Sequence, residues 1–554
     1  MTMNRILPRL LLPVLGAALL ASAAALAIPA AATTAGARPA ASAVTPSPCG
    51  PTWTQTPAAS DAPYGQSELL GVTRTPGGTF WAVGDTHSGG IALIERLTAS
   101  GWVRVPGHAP GVSTLGGVAA VSDHDVWAVG THGNPLGTSS PLIDHWNGSR
   151  WSLVSSPAVT QGSLDAVTAL GPDDIWAVGT QDGELHTLTE HFNGQSWSVV
   201  PSLDHRTVTN ILTGVSGTSA DAVWAVGSGE GLPTAEYWDG TDWRLVTTPS
   251  QAPTPLAVAA LSPSDVWAVG GSNELGSQIM NWNGSRWKPV PTSDLSFGRL
   301  TGVAAAGPRD VWASTGFSGG GQLLLTANWN GRGWQATLTP PLAREGQTNA
   351  ITTLPGGGAL AVGWVDIGTG SSPTAHGAVW QVCPVQVTSG QFQPATVTDA
   401  GWLTLVWRAA AANGHSITLR DDTGLGLFKT GSMAPGATYN FRFYAAGTYS
   451  VAQAPGGARQ SVSVPLSAGP VPGQAGTYEL TWAARGAPFG YVYDVRMKAP
   501  GASQFTPFRT GVSSVTATFT PPAAGTYQFE ARERKSPGGA VSGWSPPVSV
   551  TVTG

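Results

Sequence analysis

Polar residues that could do chemistry recur in this 554-residue chain just after a repeated Trp-Ala-Val-Gly segment, or just ahead of the next apolar stretch. They are Asp85, His87, His132, Asp182, His186, Arg206, Arg299, Arg344 and Asp366, with His108, Glu184, Asp204, His205, Glu230, Glu274 and Glu345 beside them. Two carboxylates ~5–10 Å apart can serve as the acid and base of glycoside cleavage. Arginines gathered on one face can hold a carboxylate through paired N–H donors. Arg206, Arg299 and Arg344 fall in different repeats, and the set does not recur in type from copy to copy. No catalytic residue is therefore assigned, and the first nine residues are kept as binding candidates, with ordinary loop polarity as the competing explanation. Asp125, Asp174, Asp265 and Asp310 do recur, each directly before a strand. Asp in such turns bonds backbone amides, so these four are expected to be structural. No GxSxG, HExxH or P-loop occurs, and no GxGxxG lies between a strand and a helix. No cofactor and no metal ligands are expected.

The composition narrows what must position these groups. Lys+Arg total 27 against 32 Asp+Glu, for a net charge of −5. A nucleic-acid binder needs clustered positive charge, so that class is set aside. Charged residues are 11%, while Gly, Pro and Trp number 73, 44 and 23. Such a chain suits neither a helical bundle nor a coiled coil, and 41% hydrophobic content is too high for disorder.

Self-comparison gives the architecture. Asp125-Val126-Trp127-Ala128-Val129-Gly130 returns around Trp81, Trp176, Trp224, Trp267, Trp312 and, with Leu for Trp, Leu360. The spacing is roughly 47 residues, the period of a propeller repeat. A second motif follows the first, as in His145-Trp146-Asn147-Gly148-Ser149-Arg150-Trp151, Asn281-Trp282-Asn283-Gly284-Ser285-Arg286-Trp287 and Tyr237-Trp238-Asp239-Gly240-Thr241-Asp242-Trp243. Asn-Gly or Asp-Gly between apolar runs marks a hairpin with a tight primed turn. Each repeat thus holds four short antiparallel strands, a propeller blade. The recurrent Trp residues are expected to pack between blades.

The last copy lacks its fourth strand, because Cys383-Pro384 follows Val379-Trp380-Gln381. The missing piece is Cys49 to Pro57, where Trp53 aligns with Trp151. Lending that strand to the last blade closes the ring without an open edge. The register sets Cys49 beside Cys383, so the chain's two cysteines are expected to form a disulfide. The expected fold is all-β: a seven-bladed propeller over 49–384, followed by two C-terminal β-sandwiches. The paired motifs resemble those of kelch propellers, although the family's double glycine survives only as Gly270-Gly271. A copper-radical enzyme of that architecture needs a Cys joined to Tyr, and both cysteines here belong to the closure.

Residues 385–465 resemble a cupredoxin, from Phe392-Gln393-Pro394 through Met433-Ala434-Pro435-Gly436 to Ala446-Gly447-Thr448-Tyr449. The family's copper site takes two His, a Cys and usually a Met. Only His415 matches, and Gln453 or a neighbour stands where the Cys belongs. The resemblance therefore implies a copper-free module. Residues 473–554 resemble a fibronectin type III sandwich, with alternating Tyr491 to Lys498 and Gly525 to Arg532 and with Ser542-Gly543-Trp544-Ser545-Pro546 before the final strand.

Residues 1–32 read as a secretory signal peptide, with Arg5 and Arg9 ahead of an Ala/Leu-rich stretch and small-residue cleavage sites at Ala27 and Ala32. Retention as an anchor is the alternative. Residues 33–48 read as a linker. The functional expectation is a secreted or cell-surface, monomeric, non-catalytic binding protein. It would present the propeller loop face to a glycan or an extracellular protein, with no membrane span once the signal is cleaved. The alternative is an extracellular polysaccharide hydrolase or lyase acting on the same face.

Overall fold

The structure, a computed structural model, describes residues 49–553 apart from 60–65, 87–89, 110, 134–137, 205–207, 231, 250–253, 273–275, 293–294, 296–297, 317–322, 342–344, 367–374, 400, 413 and 456. The expected signal peptide and linker lie outside the described residues.

Each Trp-Ala-Val-Gly segment forms the second strand of a four-stranded antiparallel sheet. The Asp125–Gly133 strand lies between Ser113–Ser122 and Ser139–Trp146, and Trp151–Val154 completes the sheet. The residues Val126 to Gly130 are buried because both faces of the strand are covered. That explains a continuous apolar run in place of alternation. The glycine ending the run is forced by a close approach. A Cβ on Gly130 would sit 1.9 Å from the Thr114 carbonyl oxygen. Ser314 stands at that point in the sixth copy, where its hydroxyl bonds Thr301 Oγ1 at 3.1 Å.

The Asn-Gly turns are four-residue loops, wider than the two-residue turn expected. Trp146 pairs Trp151, and Asn147 N donates to Arg150 O across the loop at 3.2 Å. Only Gly148 takes a left-handed φ, of 91°. Asn147 acts through its side chain, whose Oδ1 accepts from the Ser149 and Arg150 amides at 3.1 Å each. A residue with a short amide acceptor followed by glycine is what this loop requires.

Seven such sheets occur between Thr54 and Val382 among the described residues. Their first strands touch in a closed cycle, from Glu68–Arg74 round to Gly346–Thr353 and back. The arrangement is of β-propeller type. The Thr54–Pro57 strand is the outermost member of the last sheet and pairs Ala375–Val382 with Gln55 opposite Trp380. Cys49 and Cys383 are disulfide-bonded, with Cα atoms 5.5 Å apart and a sequence separation of 334. Both closure expectations hold.

The Trp residues pack between sheets. Trp81 meets Trp151 of the next sheet edge-on at 5.2 Å and 86°. Trp127–Trp197, Trp176–Trp243, Trp224–Trp287 and Trp267–Trp334 repeat the geometry at 5.1–5.5 Å. Trp53 supplies the same partner to Trp312 at 5.8 Å and 80°. At the seventh junction Leu360 packs in one cluster with Trp102, beside Cys49 and Cys383. Edge-to-face pairs of this kind add ~0.5–1.5 kcal/mol each beyond the area they bury.

The remaining chain forms two further units. Strands Val385–Thr388 to Arg459–Val464 make two four-stranded sheets around a core that includes Trp407, Phe443 and Tyr449. Strands Ser467–Pro470 to Val548–Val552 make a three-stranded and a four-stranded sheet around Trp482, Tyr493 and Phe529. The first unit is fastened to the ring. Val406 N donates to Pro51 O at 3.0 Å, Arg408 pairs with buried Asp310 at 3.1 Å, and Thr438 Oγ1 donates to Asn328 Oδ1 at 2.5 Å. These contacts lie where the second strands begin.

Candidate functional site

The described candidate residues lie at the end of the ring where the second strands end, away from the fastened tail. Asp85 ends its strand and accepts from Thr114 Oγ1 of the neighbouring sheet at 2.8 Å. His132 is half-buried, and its Nδ1 lies 3.2 Å from both Ser113 Oγ and Val112 O. Asp182 and Glu184 flank Gly183 in a tight turn whose three residues all take positive φ, 54°, 71° and 68° respectively. Both acidic side chains are exposed. Asp366 is buried, and its amide donates to Glu345 O at 2.8 Å. Arg299 is exposed and lies against Gly316. His87, Arg206 and Arg344, with neighbouring His205 and Glu274, lie outside the described residues.

One charged pair is drawn together here. His186 Nδ1 and Asp204 Oδ2 are 2.5 Å apart, and Asp204 Oδ1 also accepts the Thr187 amide at 3.0 Å. The hydrogen bond to Asp204, followed by its charge, raises the His186 pKa. Of the three arginines weighed as a carboxylate clamp, only Arg299 lies among the described residues.

Sequence reasoning missed Asp165. It sits at the register shift in the first strand of its sheet, between Leu164 and Ala166. Polar residues at three of the equivalent shifts reach across to the next first strand, whereas Leu70, Gly116 and Leu256 occupy the others. Thr213 Oγ1 donates to Pro255 O at 3.3 Å, Thr301 Oγ1 to Thr348 O at 2.7 Å, and Asn349 Nδ2 to Leu69 O at 2.8 Å. A carboxyl can make that donation only when it is protonated. Burial, with the Glu184 charge added, pushes Asp165 up to about 6. A carboxyl titrating at about 6 beside an exposed carboxylate can exchange a proton with a ligand in mildly acidic solution.

A second group also went unseen. Glu95, Asp144, Glu190 and Glu236 occupy one position in four successive sheets, each opposite the Ala of the repeat. All four are buried. Each grips the crossover that leads from the preceding sheet. Ala59 N donates to Glu95 at 3.1 Å, His108 N to Asp144 at 3.0 Å, Ser156 Oγ to Glu190 at 2.8 Å and Leu203 N to Glu236 at 3.3 Å. Burial raises Asp144, and pushes Glu190 to about 7 and Glu236 to about 8. These carboxyls position the crossovers. The signal was an acid two residues before the aromatic of the second motif, as in Asp144-His145-Trp146. Met280 and Ala327 replace it in later sheets.

The repeated aspartates are structural, through partners other than those expected. Asp125 Oδ1 accepts from Trp127 Nε1 at 2.8 Å and contacts His145 Nε2 at 2.9 Å, while His145 stacks on Trp127 at 4.0 Å. Asp174, Trp176 and His191 repeat the set. Asp310 bonds Trp312 at 2.7 Å, and Asp265 accepts from Asn281 at 2.9 Å. The acceptor thus satisfies the indole or the third strand's side chain, in place of backbone amides. In the first tail unit, His415 is exposed on a loop and Gln453 is buried, its Oε1 accepting from Gly390 N at 3.2 Å.

No protein-family model matches the chain, and no curated protein matches it. Several solved structures are similar to it. A chain of YCF48 bound to D1 peptide is 14% identical, with 61% of this chain and 99% of that one covered and a TM-score of 0.40. A chain of the mitotic checkpoint complex is 13% identical, with 60% and 90% covered and a TM-score of 0.42. The extracellular domain of BT3049 from B. thetaiotaomicron is 11% identical, with 90% of this chain but 57% of that one covered and a TM-score of 0.42. Among the described residues no helix is long and apolar enough to cross a membrane.

Proposed function

We propose that this chain is a secreted or cell-surface, non-catalytic binding protein built on a seven-bladed, kelch-like propeller. The ring displays the loops at the ends of its second strands to a glycan or an extracellular protein. The tail units act as a copper-free cupredoxin-like module and a fibronectin type III-like module that space the ring from other material. The observation that carries this reading is the division of labour in the ring. Repeated polar residues are used up by the scaffold, while the variable ones, Asp85, His132, Asp182, His186 and Asp204, end at one open face. A ring fastened on one side by Arg408 and Thr438 leaves the other side for a partner. The disulfide suits an oxidising compartment.

Binding of the full chain to arrays of glycans and extracellular proteins tests the proposal. A ligand whose retention is lost in Asp182→Ala with His186→Ala, and kept in Arg286→Ala, supports it. Retention that ignores the face substitutions overturns it.

Asp165 supports a second reading, a polysaccharide hydrolase or lyase, in which Asp165 donates a proton and Glu184 accepts one. Its test is whether Asp165→Asn abolishes turnover of a polysaccharide that the unmodified protein cleaves.

A further inference from the structure

We propose that the cleft between the two tail units is a second binding site, for a small organic acid whose carboxylate lies beside a hydroxyl-bearing ring. The units are joined rigidly enough to shape a cleft. Ala446 N donates to Trp482 O at 2.8 Å, Thr448 N to Gly543 O at 2.9 Å, and Tyr491 OH to Leu425 O at 2.7 Å. Between them lies a cavity of about 220 Å³ lined by Phe441, Arg442, Tyr444, Arg485, Tyr491 and Glu533. Pockets of mixed aromatic and polar lining at such junctions are ordinary ligand sites.

Its electrostatics single it out. The Arg442 and Arg485 guanidiniums lie 5.1 Å and 3.6 Å from the same Tyr444 ring. One ring thus holds two like charges close together. Arg442 spends one donor, Nε, on the Trp402 carbonyl at 2.5 Å. Among the described residues neither arginine forms an ion pair, although Asp399 and Glu533 lie near enough to be felt electrostatically. Most of these guanidinium donors therefore meet no acceptor among the described residues, in a protein whose net charge is −5. A carboxylate answers that arrangement, since the planar fork of arginine matches its two oxygens. The walls select the rest of the ligand. Phe441 and Tyr491 offer flat apolar faces to a ring. Glu533 is buried, and its Oε2 accepts from Tyr449 OH at 3.3 Å, which leaves the other carboxyl oxygen for a ligand hydroxyl. Uronate units of polysaccharides and hydroxylated aromatic acids share this chemistry.

The site is separate from the propeller face, so it stands or falls independently of the function proposed above. Calorimetric titration of the full chain with glucuronate, 4-hydroxybenzoate and glucose tests it. The expected result is a dissociation constant on the order of millimolar for at least one acid, and no heat with glucose. Which acid binds identifies the source of the ligand. Arg485→Ala is expected to weaken the acid at least about tenfold. Arg485 is exposed, so the melting temperature should hold, and Arg485→Gln replaces the alanine variant if it does not. Binding of neither acid, equal binding of glucose, or full affinity in both Arg485 variants would overturn the proposal.

Discussion

Four buried carboxyls in successive sheets give the residue scale its clearest physical test. Glu190 and Glu236 ionise in the folded state only near pH 7 and 8, because burial raises them above the ordinary 4.5. The unfolded chain ionises them from about pH 4.5. Below that value both states are protonated and the groups cost nothing. As pH rises, the unfolded state loses its protons first, so stability falls until the folded pKa is passed. The cost is at most about 3–5 kcal/mol for each group. The melting temperature is therefore expected to drop between pH 5 and 8.5, and Glu190→Gln with Glu236→Gln should flatten that slope. A slope unchanged by the double substitution would refute the assignment. The tryptophans are the complementary case. Trp176→Ala removes a fully buried ring that meets Trp243 across a sheet junction and should cost about 3–5 kcal/mol by urea unfolding. Recurrence made the tryptophans legible in the sequence. The carboxyls were not, because their repeat fades after the fourth sheet and loop acids draw attention first. Asp165 was hidden for another reason: its role depends on a register shift, and no residue type announces one.

At the scale of elements, the closing strand was legible because a motif was missing at one end of the repeat and present at the other. Trp53 filled the slot that Trp151 fills elsewhere, and the cysteines followed from that register. Replacing Cys49 and Cys383 with Ser should destabilise the ring. The 334-residue separation gives roughly 6 kcal/mol in the chain-entropy model. Thermal unfolding with and without reductant reads the effect, and an unchanged midpoint would count against a stabilising closure. The fastening of the tail was not legible. Arg408 and Asp310 look like an ordinary strand residue and one more repeated aspartate, until the fold sets them 3.1 Å apart with the aspartate buried and the arginine half-buried. Arg408→Ala strands a buried carboxylate, a loss of about 3–5 kcal/mol. Arg408→Ala with Asp310→Asn should recover most of it. Failure of the second change to recover stability would show that Arg408 acts by packing alone.

The whole molecule is a scaffold with most of its repeated chemistry turned inward. Seven sheets among the described residues, their indole contacts and the disulfide consume the residues that recur, and the described variable residues such as Asp85, His132 and Asp182 lie at one end. The sequence carried the period, the strand count of each repeat and the chain's two cysteines. It did not carry the ligand, because the proposed recognition rests on loop residues that occur once each and whose neighbours are decided only by the closed ring. The central claim is that this face binds without turning over what it binds. The most direct measurement takes any polysaccharide retained by the full chain and follows new reducing ends or unsaturated products over extended incubation, with Asp165→Asn in parallel. The account predicts retention, no product and no difference between the two proteins. Product formation that disappears in Asp165→Asn would contradict it.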